Sequence, residues 1–262
     1  MILGTVVVTG AAGLVGSAVR GPLGRAAQRL VLVDQAPIRA EAPNETAHQV
    51  KLTSVDDIAP LIDGADVVVH LAGIPDEAPL PDLMTANVVG THHVLEAARR
   101  TGVPRVVIAS SNRLTGAYPI GETLSPDDPL RPDGLYGVSK AAVEALGRLY
   151  VDKFGLEVVC VRIGSLEDRP QDGRHLATWL SPRDCAGFFV AALTMKMDGF
   201  AAFYAVSANT RRFWELSDVY TPQDNAEDFA RDLDDPDAFF IPTNPQGGPF
   251  ASQEYTLRHI TP

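Results

Sequence analysis

Tyr136 and Lys140 stand four residues apart in the run Leu135-Tyr-Gly-Val-Ser-Lys140. On a helix that spacing puts both side chains on one face. A free phenol ionises at about 10, too high for a good base at neutral pH. A neighbouring ammonium favours the phenolate and lowers that value. Such a pair can take the proton of an alcohol while hydride leaves the same carbon. Hydride needs an acceptor, and a second pattern supplies a place for one. Thr9-Gly10-Ala11-Ala12-Gly13-Leu14-Val15-Gly16 follows a strand-like run and opens a helical one. Glycines there allow a sharp turn, close approach to a pyrophosphate and tight packing of helix on strand, and the helix N-terminus offers free N–H groups to phosphate. Asp34 ends the next strand-like run roughly 20 residues on, where a carboxylate accepts from an adenosine ribose and repels a 2′-phosphate. The expected cofactor is NAD rather than NADP.

The elements that must position these groups are legible as apolar runs. Residues 5–9, 30–33, 65–71, 105–109 and 157–162 are rich in Val and Ile with little alternation. Strands buried on both faces, as in a parallel sheet covered by helices, read this way. Helical periods are expected at about 13–26, 55–63, 81–101 and 136–154, the third ending at Gly102 with Arg99 and Arg100 in its last turn. The alternation predicts an α/β fold, a doubly wound parallel sheet of the Rossmann type. Past residue 164 Pro and Asp become common. The stretch from about 165 to 262 is expected to form a small substrate-binding cap on a single domain. Residues 223–237 hold seven acids and one base, read as a solvated helix and loop.

Composition narrows the function. The 262 residues carry 22 Lys+Arg against 33 Asp+Glu, a net charge of −11, with 45% hydrophobic residues. That balance argues against nucleic acid or an anionic membrane as partner. No apolar run reaches the ~18 residues of a membrane span. Met1-Ile2-Leu3-Gly4 enters the first strand without a basic or long apolar leader, and Cys160 and Cys185 are far apart with no metal-binding spacing. A cytoplasmic protein with reduced thiols is expected. His70, His92 and His93 lack metal-ligand company and read as packing or surface residues, and Trp179 and Trp214 as core.

The glycine spacing is GxxGxxG. Together with Asp66-Val-Val-Val-His-Leu-Ala-Gly73, Asn87-Val-Val-Gly90 and Tyr136-Gly-Val-Ser-Lys140, it resembles the extended short-chain dehydrogenase/reductase superfamily over residues 1 to about 165. The resemblance implies Ser111 as the third catalytic residue beside Tyr136 and Lys140, with its hydroxyl holding the reacting oxygen. It implies that Lys140 also binds the nicotinamide ribose and that Asn87 orders a water behind it. The implied cofactor site takes in Gly10, Ala12, Gly13, Leu14, Val15 and Gly16 of the loop, Asp34, Lys51 and Leu52 after it, Leu71, Ala72 and Gly73, then Asn87, Tyr136, Lys140 and Ile163.

Ser110-Ser-Asn112, Arg131-Pro-Asp-Gly-Leu-Tyr-Gly-Val-Ser-Lys140, Asp152-Lys-Phe-Gly155, Val161-Arg-Ile-Gly-Ser165, Thr178-Trp-Leu-Ser181 and Asp224-Asn-Ala-Glu227 resemble, over nearly the whole chain, the bacterial uronate dehydrogenases. That family oxidises C1 of a cyclic hexuronic acid with NAD to an aldarolactone. The resemblance puts the sugar acid against Pro75, Ser111, Asn112, Arg113, Tyr136, Ser165 and Arg174, with the guanidinium of Arg174 on the carboxylate. Three positions depart from the family. Arg113 stands where it has histidine, Pro75 where it has serine, and Lys51 where it has an acid. Arg113 is left with two readings, a seat for a second anionic group or a solvent-facing charge. Arg174 is left with a second reading too, a loop arginine paired with Asp172. An epimerase or dehydratase acting on a nucleotide sugar and a non-catalytic NAD(H)-binding regulator are the alternative functions. The superfamily also suggests a homo-oligomer, a dimer through helices 81–101 and 136–154.

Overall fold

A computed structural model describes residues 2–260. Met1, Thr261 and Pro262 lie outside the described residues, and with them the Met1 start and the last two positions of the expected 1–262 domain. The five expected runs are strands β1 (Leu3–Thr9), β2 (Ala27–Asp34), β4 (Val67–His70), β5 (Arg105–Ser111) and β6 (Glu157–Ile163). Two further strands, β3 (Glu45–Gln49) and β9 (Phe200–Ala205), extend the sheet at its edges. The order is β3-β2-β1-β4-β5-β6-β9, parallel throughout. The chain therefore reverses direction across the sheet between β1 and β4, which opens a crevice at the carboxyl ends of those strands.

Side-chain alternation sends Val6, Val8, Val159 and Val161 to one face and Val7, Val158 and Cys160 to the other. The first face is covered by α1 (Leu14–Ala26) and α7 (Pro182–Thr194), which pack on each other. The second is covered by α2 (Val55–Ile62), α4 (Gly90–Thr101) and α5 (Leu135–Phe154). Ser54 and Asp57 close a reciprocal capping box on α2, and Ser181 caps α7 by accepting from the Asp184 N–H, with Pro182 at the first helical position.

The structure departs from the sequence reading in three places. The expected helix 81–101 is α3 (Leu80–Leu83), a π-helical turn over Met84–Val89, then α4. The widened turn carries Asn87, which is buried. The stretch from 165 is not one cap, because α7 and β9 belong to the main sheet and its cover. The rest of it includes the two-stranded β7 (Ser165–Leu166) and β8 (Trp179–Leu180), the short helices α6 (His175–Thr178) and α8 (Ala226–Phe229), and α9 (Gln253–Ile260), with Tyr220 packed on Phe188 of α7. Within the acidic run 223–237 most side chains are exposed, but Asp224 is buried, accepts from the Ser181 hydroxyl and pairs with Arg183. Trp179 and Trp214 are fully buried, Trp214 stacked on Tyr204, and both cysteines are free and buried. Among the described residues no helix is long and apolar enough to cross a membrane.

One buried network ties α5 to the strands beneath it. Glu144 on α5 accepts from Ser110 at 2.6 Å and takes a two-pronged ion pair from Arg162 on β6, at 3.0 and 2.9 Å. Removing one partner of a buried pair leaves the other charge uncompensated. Glu144→Gln is therefore expected to lower unfolding free energy by about 3 kcal/mol, read from the midpoint of chemical denaturation. An unchanged midpoint would show that Arg162 finds other partners.

Candidate functional site

The glycine loop is shaped by close approach. Gly10 has φ +72°, and a Cβ there would stand 2.5 Å from the backbone nitrogen of Ala72. Gly16 is buried against the carbonyls of Gly10 and Ala11, where a Cβ would meet oxygen at 2.6 and 2.5 Å. Asp34 accepts from the Ala12 N–H at 2.9 Å and the Ala36 N–H at 2.8 Å, which holds its carboxylate at the lip of the crevice. The crevice has a volume of about 580 Å³ and is lined by Gly10, Gly13, Asp34, Lys51, Leu52, Leu71, Ala72 and Gly73. These eight were expected at the cofactor. Val33, Thr85, Val89 and His93 line it as well and had no local sequence signal.

The other loop residues and Ile163 lie outside that lining. Ala12 and Leu14 lie on the exposed side of the loop. Val15 and Ile163 pack on the core, and Gly16 is covered by the loop itself. Asn87 is held from two sides. Its side-chain amide accepts from the Ile74 N–H at 2.7 Å and donates to the Ile74 carbonyl and to the Ser139 hydroxyl. It thereby fastens the loop after β4 to α5. Gly73 lies so close that a Cβ would meet the Asn87 oxygen at 2.6 Å. His70 is buried between Thr9 and Thr91, and burial pushes its imidazole down to about 3, so it stays neutral.

Ser111 ends β5, and Tyr136 and Lys140 lie on the first two turns of α5, all three buried. The Lys140 ammonium donates to the Ala109 carbonyl at 2.9 Å and stands 5.7 Å from the Tyr136 ring centre. The Ser111 hydroxyl lies against the phenol and favours its anion. The expected lowering of the phenol does not hold for this cavity as it stands. Burial outweighs the Ser111 hydroxyl and the Arg113 guanidinium and pushes Tyr136 up to about 12, and it pushes Lys140 down to about 8.

What aims α5 is a residue that sequence reading missed. The N-cap position is Gly134, which has no side chain to offer. Glu77, from the loop after β4, accepts from the Leu135 N–H at 2.6 Å and the Tyr136 N–H at 3.2 Å. A carboxylate there also complements the helix dipole. Its partners lie 58 and 59 positions along the chain, so no local pattern marks it.

Arg113 is the largest correction. Its guanidinium neither faces solvent nor waits for a second anion. It is buried and pairs with Asp133 at 2.5 Å, Asp76 at 3.1 Å and Glu77 at 3.2 Å, and it lies 4.4 Å from the Phe250 ring centre. Pro75 is exposed just before two of these acids. One oxygen of Asp133 is buried without a partner, and burial raises this carboxyl to about 6.

Arg174 behaves differently. Four arginines are buried: Arg105, Arg113, Arg162 and Arg174. The first three pair with carboxylates. Arg174 has no ion pair among the described residues; Asp172 instead bonds to the His175 N–H. Arg174 donates to the Gln246 carbonyl at 2.9 Å and to the Ser165 hydroxyl at 3.1 Å. Burial lowers it to about 10, still charged at neutral pH. The Phe250 ring centre is near both guanidiniums, 5.4 Å from that of Arg174. Asn112, buried beside Ser111, has no protein partner for its side-chain amide among the described residues. The cluster thus offers a buried cation without an ion pair of its own and a phenol–lysine–serine set, closed over by the segment around Gln246 and Phe250.

Residues 6–181 match the NAD dependent epimerase/dehydratase family. The chain is 40% identical over 230 residues to a uronate dehydrogenase of Agrobacterium fabrum, covering 86% of this chain and 87% of that protein. It is 36% identical over 251 residues to an NAD-dependent glucose-6-phosphate dehydrogenase of Haloferax volcanii, covering 86% and 95%. The crystal structure of uronate dehydrogenase from Agrobacterium tumefaciens superposes with a TM-score of 0.87 at 39% identity, over 96% of this chain and 97% of that one.

Proposed function

The chain belongs to the NAD dependent epimerase/dehydratase family, and from that premise we propose that it oxidises the C1 hydroxyl of a hexuronic acid, galacturonate or glucuronate, to an aldarolactone with NAD. The observation that carries the substrate class is Arg174, a buried guanidinium with no carboxylate of its own. A buried cation without a counter-ion is costly until an anion arrives. A planar fork suits a carboxylate bidentately. Arg113 cannot serve as a second anion seat, since three carboxylates already surround it. One free positive charge matches a sugar monoanion better than a phosphate ester.

The crevice fits the cofactor. The Gly10 turn leaves no room for a side chain, the N-terminus of α1 opens onto the loop, and Asp34 stands where a ribose would place its hydroxyls. Bound nicotinamide supplies the hydride acceptor. The chain's own residues do the rest. Arg174 holds the carboxylate, with Ser165 and Asn112 on hydroxyls. Ser111 fixes the C1 oxygen, and Tyr136 as phenolate takes its proton, with Lys140 beside it. The same reading places the protein in the cytoplasm, and as a homo-oligomer, the latter supported by the exposed Val138, Leu149 and Phe154 on α5. The test is incubation with NAD and either uronate, followed by NADH absorbance. Turnover of both is expected. No NADH from either, with NADH from glucose 6-phosphate, would overturn the substrate class.

A further inference from the structure

Arg113 is engaged by three carboxylates, yet its guanidinium carbon also stands 5.6 Å from the Tyr136 ring centre, about as near as the Lys140 ammonium at 5.7 Å. The Tyr136 ring therefore has two cations at similar range from its centre, one on its own helix and one on the 3-10 turn after β5. The second is held in place from three sides. Asp133 comes from the loop before α5, and Glu77 and Asp76 from the loop after β4. Their environments differ. The Asp133 and Glu77 side chains are wholly buried, whereas that of Asp76 is 55% exposed at the rim and accepts from the Tyr255 hydroxyl at 3.0 Å.

We propose that Arg113 is a positioning residue for Tyr136, a second cation that favours the phenolate, and that Asp76 is the counter-charge that trims its effect. The inference rests on the reading of Tyr136 as the base. The titratable and charged groups around the phenol and its second cation are Lys140 on α5, Ser111 and Arg113 after β5, Asp76 and Glu77 after β4, Asp133 before α5, and Tyr255 on α9. Arg174 stands 5.4 Å from the Phe250 ring centre. Of these, Arg113 favours the anion and Asp76 and Asp133 oppose it. The physical sign is fixed. Deleting the cation makes ionisation harder, and deleting the rim anion makes it easier. A residue that only holds the fold together would not move the phenol in opposite directions on the two deletions.

The test replaces Tyr136 with a fluorinated tyrosine, whose lower intrinsic pKa brings ionisation into a range where the fold persists. The ionisation is followed by fluorine NMR on the protein without cofactor or sugar. In Asp76→Asn, which keeps an oxygen for Tyr255 and Arg113, the midpoint is expected to fall by about half a pH unit, because the lost charge is partly screened by solvent. In Arg113→Met it is expected to rise by about one unit. Should Arg113→Met fail to fold around its stranded carboxylates, Asp76→Asn alone decides. A midpoint that stays put or rises in Asp76→Asn overturns the proposal. The readout involves no turnover, so inactivity on uronates would leave this inference standing, and unmoved midpoints would leave uronate oxidation standing.

Discussion

Replacing Tyr136 with phenylalanine lowers kcat/KM for a hexuronate by about a hundred- to ten-thousand-fold, the span general-base catalysis contributes. NAD binding stays largely intact, because the crevice that seats the dinucleotide is lined by the glycine loop, Asp34 and the segments after β3 and β4, with the phenol outside that lining. The ring of phenylalanine fills the same buried space, so the fold is preserved. Steady-state NADH production and calorimetric titration with NAD separate the two effects. A variant with near-native turnover would assign the base elsewhere. A variant that loses NAD affinity in step with turnover would make Tyr136 a cofactor residue first.

Arg174→Gln has the second large effect. The side chain keeps a polar end for the Gln246 carbonyl and the Ser165 hydroxyl, but the positive charge is gone. Truncating one partner of a desolvated charge pair costs about 2–5 kcal/mol, roughly thirty- to several-thousand-fold in kcat/KM. The loss falls on uronates alone. Neutral hexoses have no carboxylate to lose, so their rates are not expected to fall, and the preference for the acid collapses. Parallel kinetics on glucuronate and glucose read this directly. An equal loss on both sugars would mean that Arg174 shapes the pocket without binding the carboxylate.

The sheet was legible because its strands are buried on both faces. Val6-Val7-Val8 and Val67-Val68-Val69 are fully buried, and such runs stand out against any helical period. The edge strand Glu45–Gln49 could not stand out in this way. Every residue in it is partly exposed or exposed, and its polar composition follows from that. The glycine loop, Asp34 and the Tyr136–Lys140 pair were legible because each lies within one local segment whose spacing has a mechanical reason. Arg113 was not. Its surroundings are decided by Asp76, Glu77 and Asp133, which lie 37, 36 and 20 positions away. The same holds for Phe250 and Gln246, which approach Arg174 from 72 or more positions along the chain. Charge type and spacing told where an arginine was. Only the fold told that one guanidinium was paired with three carboxylates and the other with neutral groups.

A crystal structure with NADH and galacturonate, a pairing that cannot react forward, puts the whole scheme in view at once. The sugar's C1 oxygen should lie within hydrogen-bonding distance of the Tyr136 and Ser111 hydroxyls, with C1 facing the nicotinamide and the carboxylate on Arg174. A sugar bound with its carboxylate away from Arg174, or a phenol oxygen turned from C1, would contradict it.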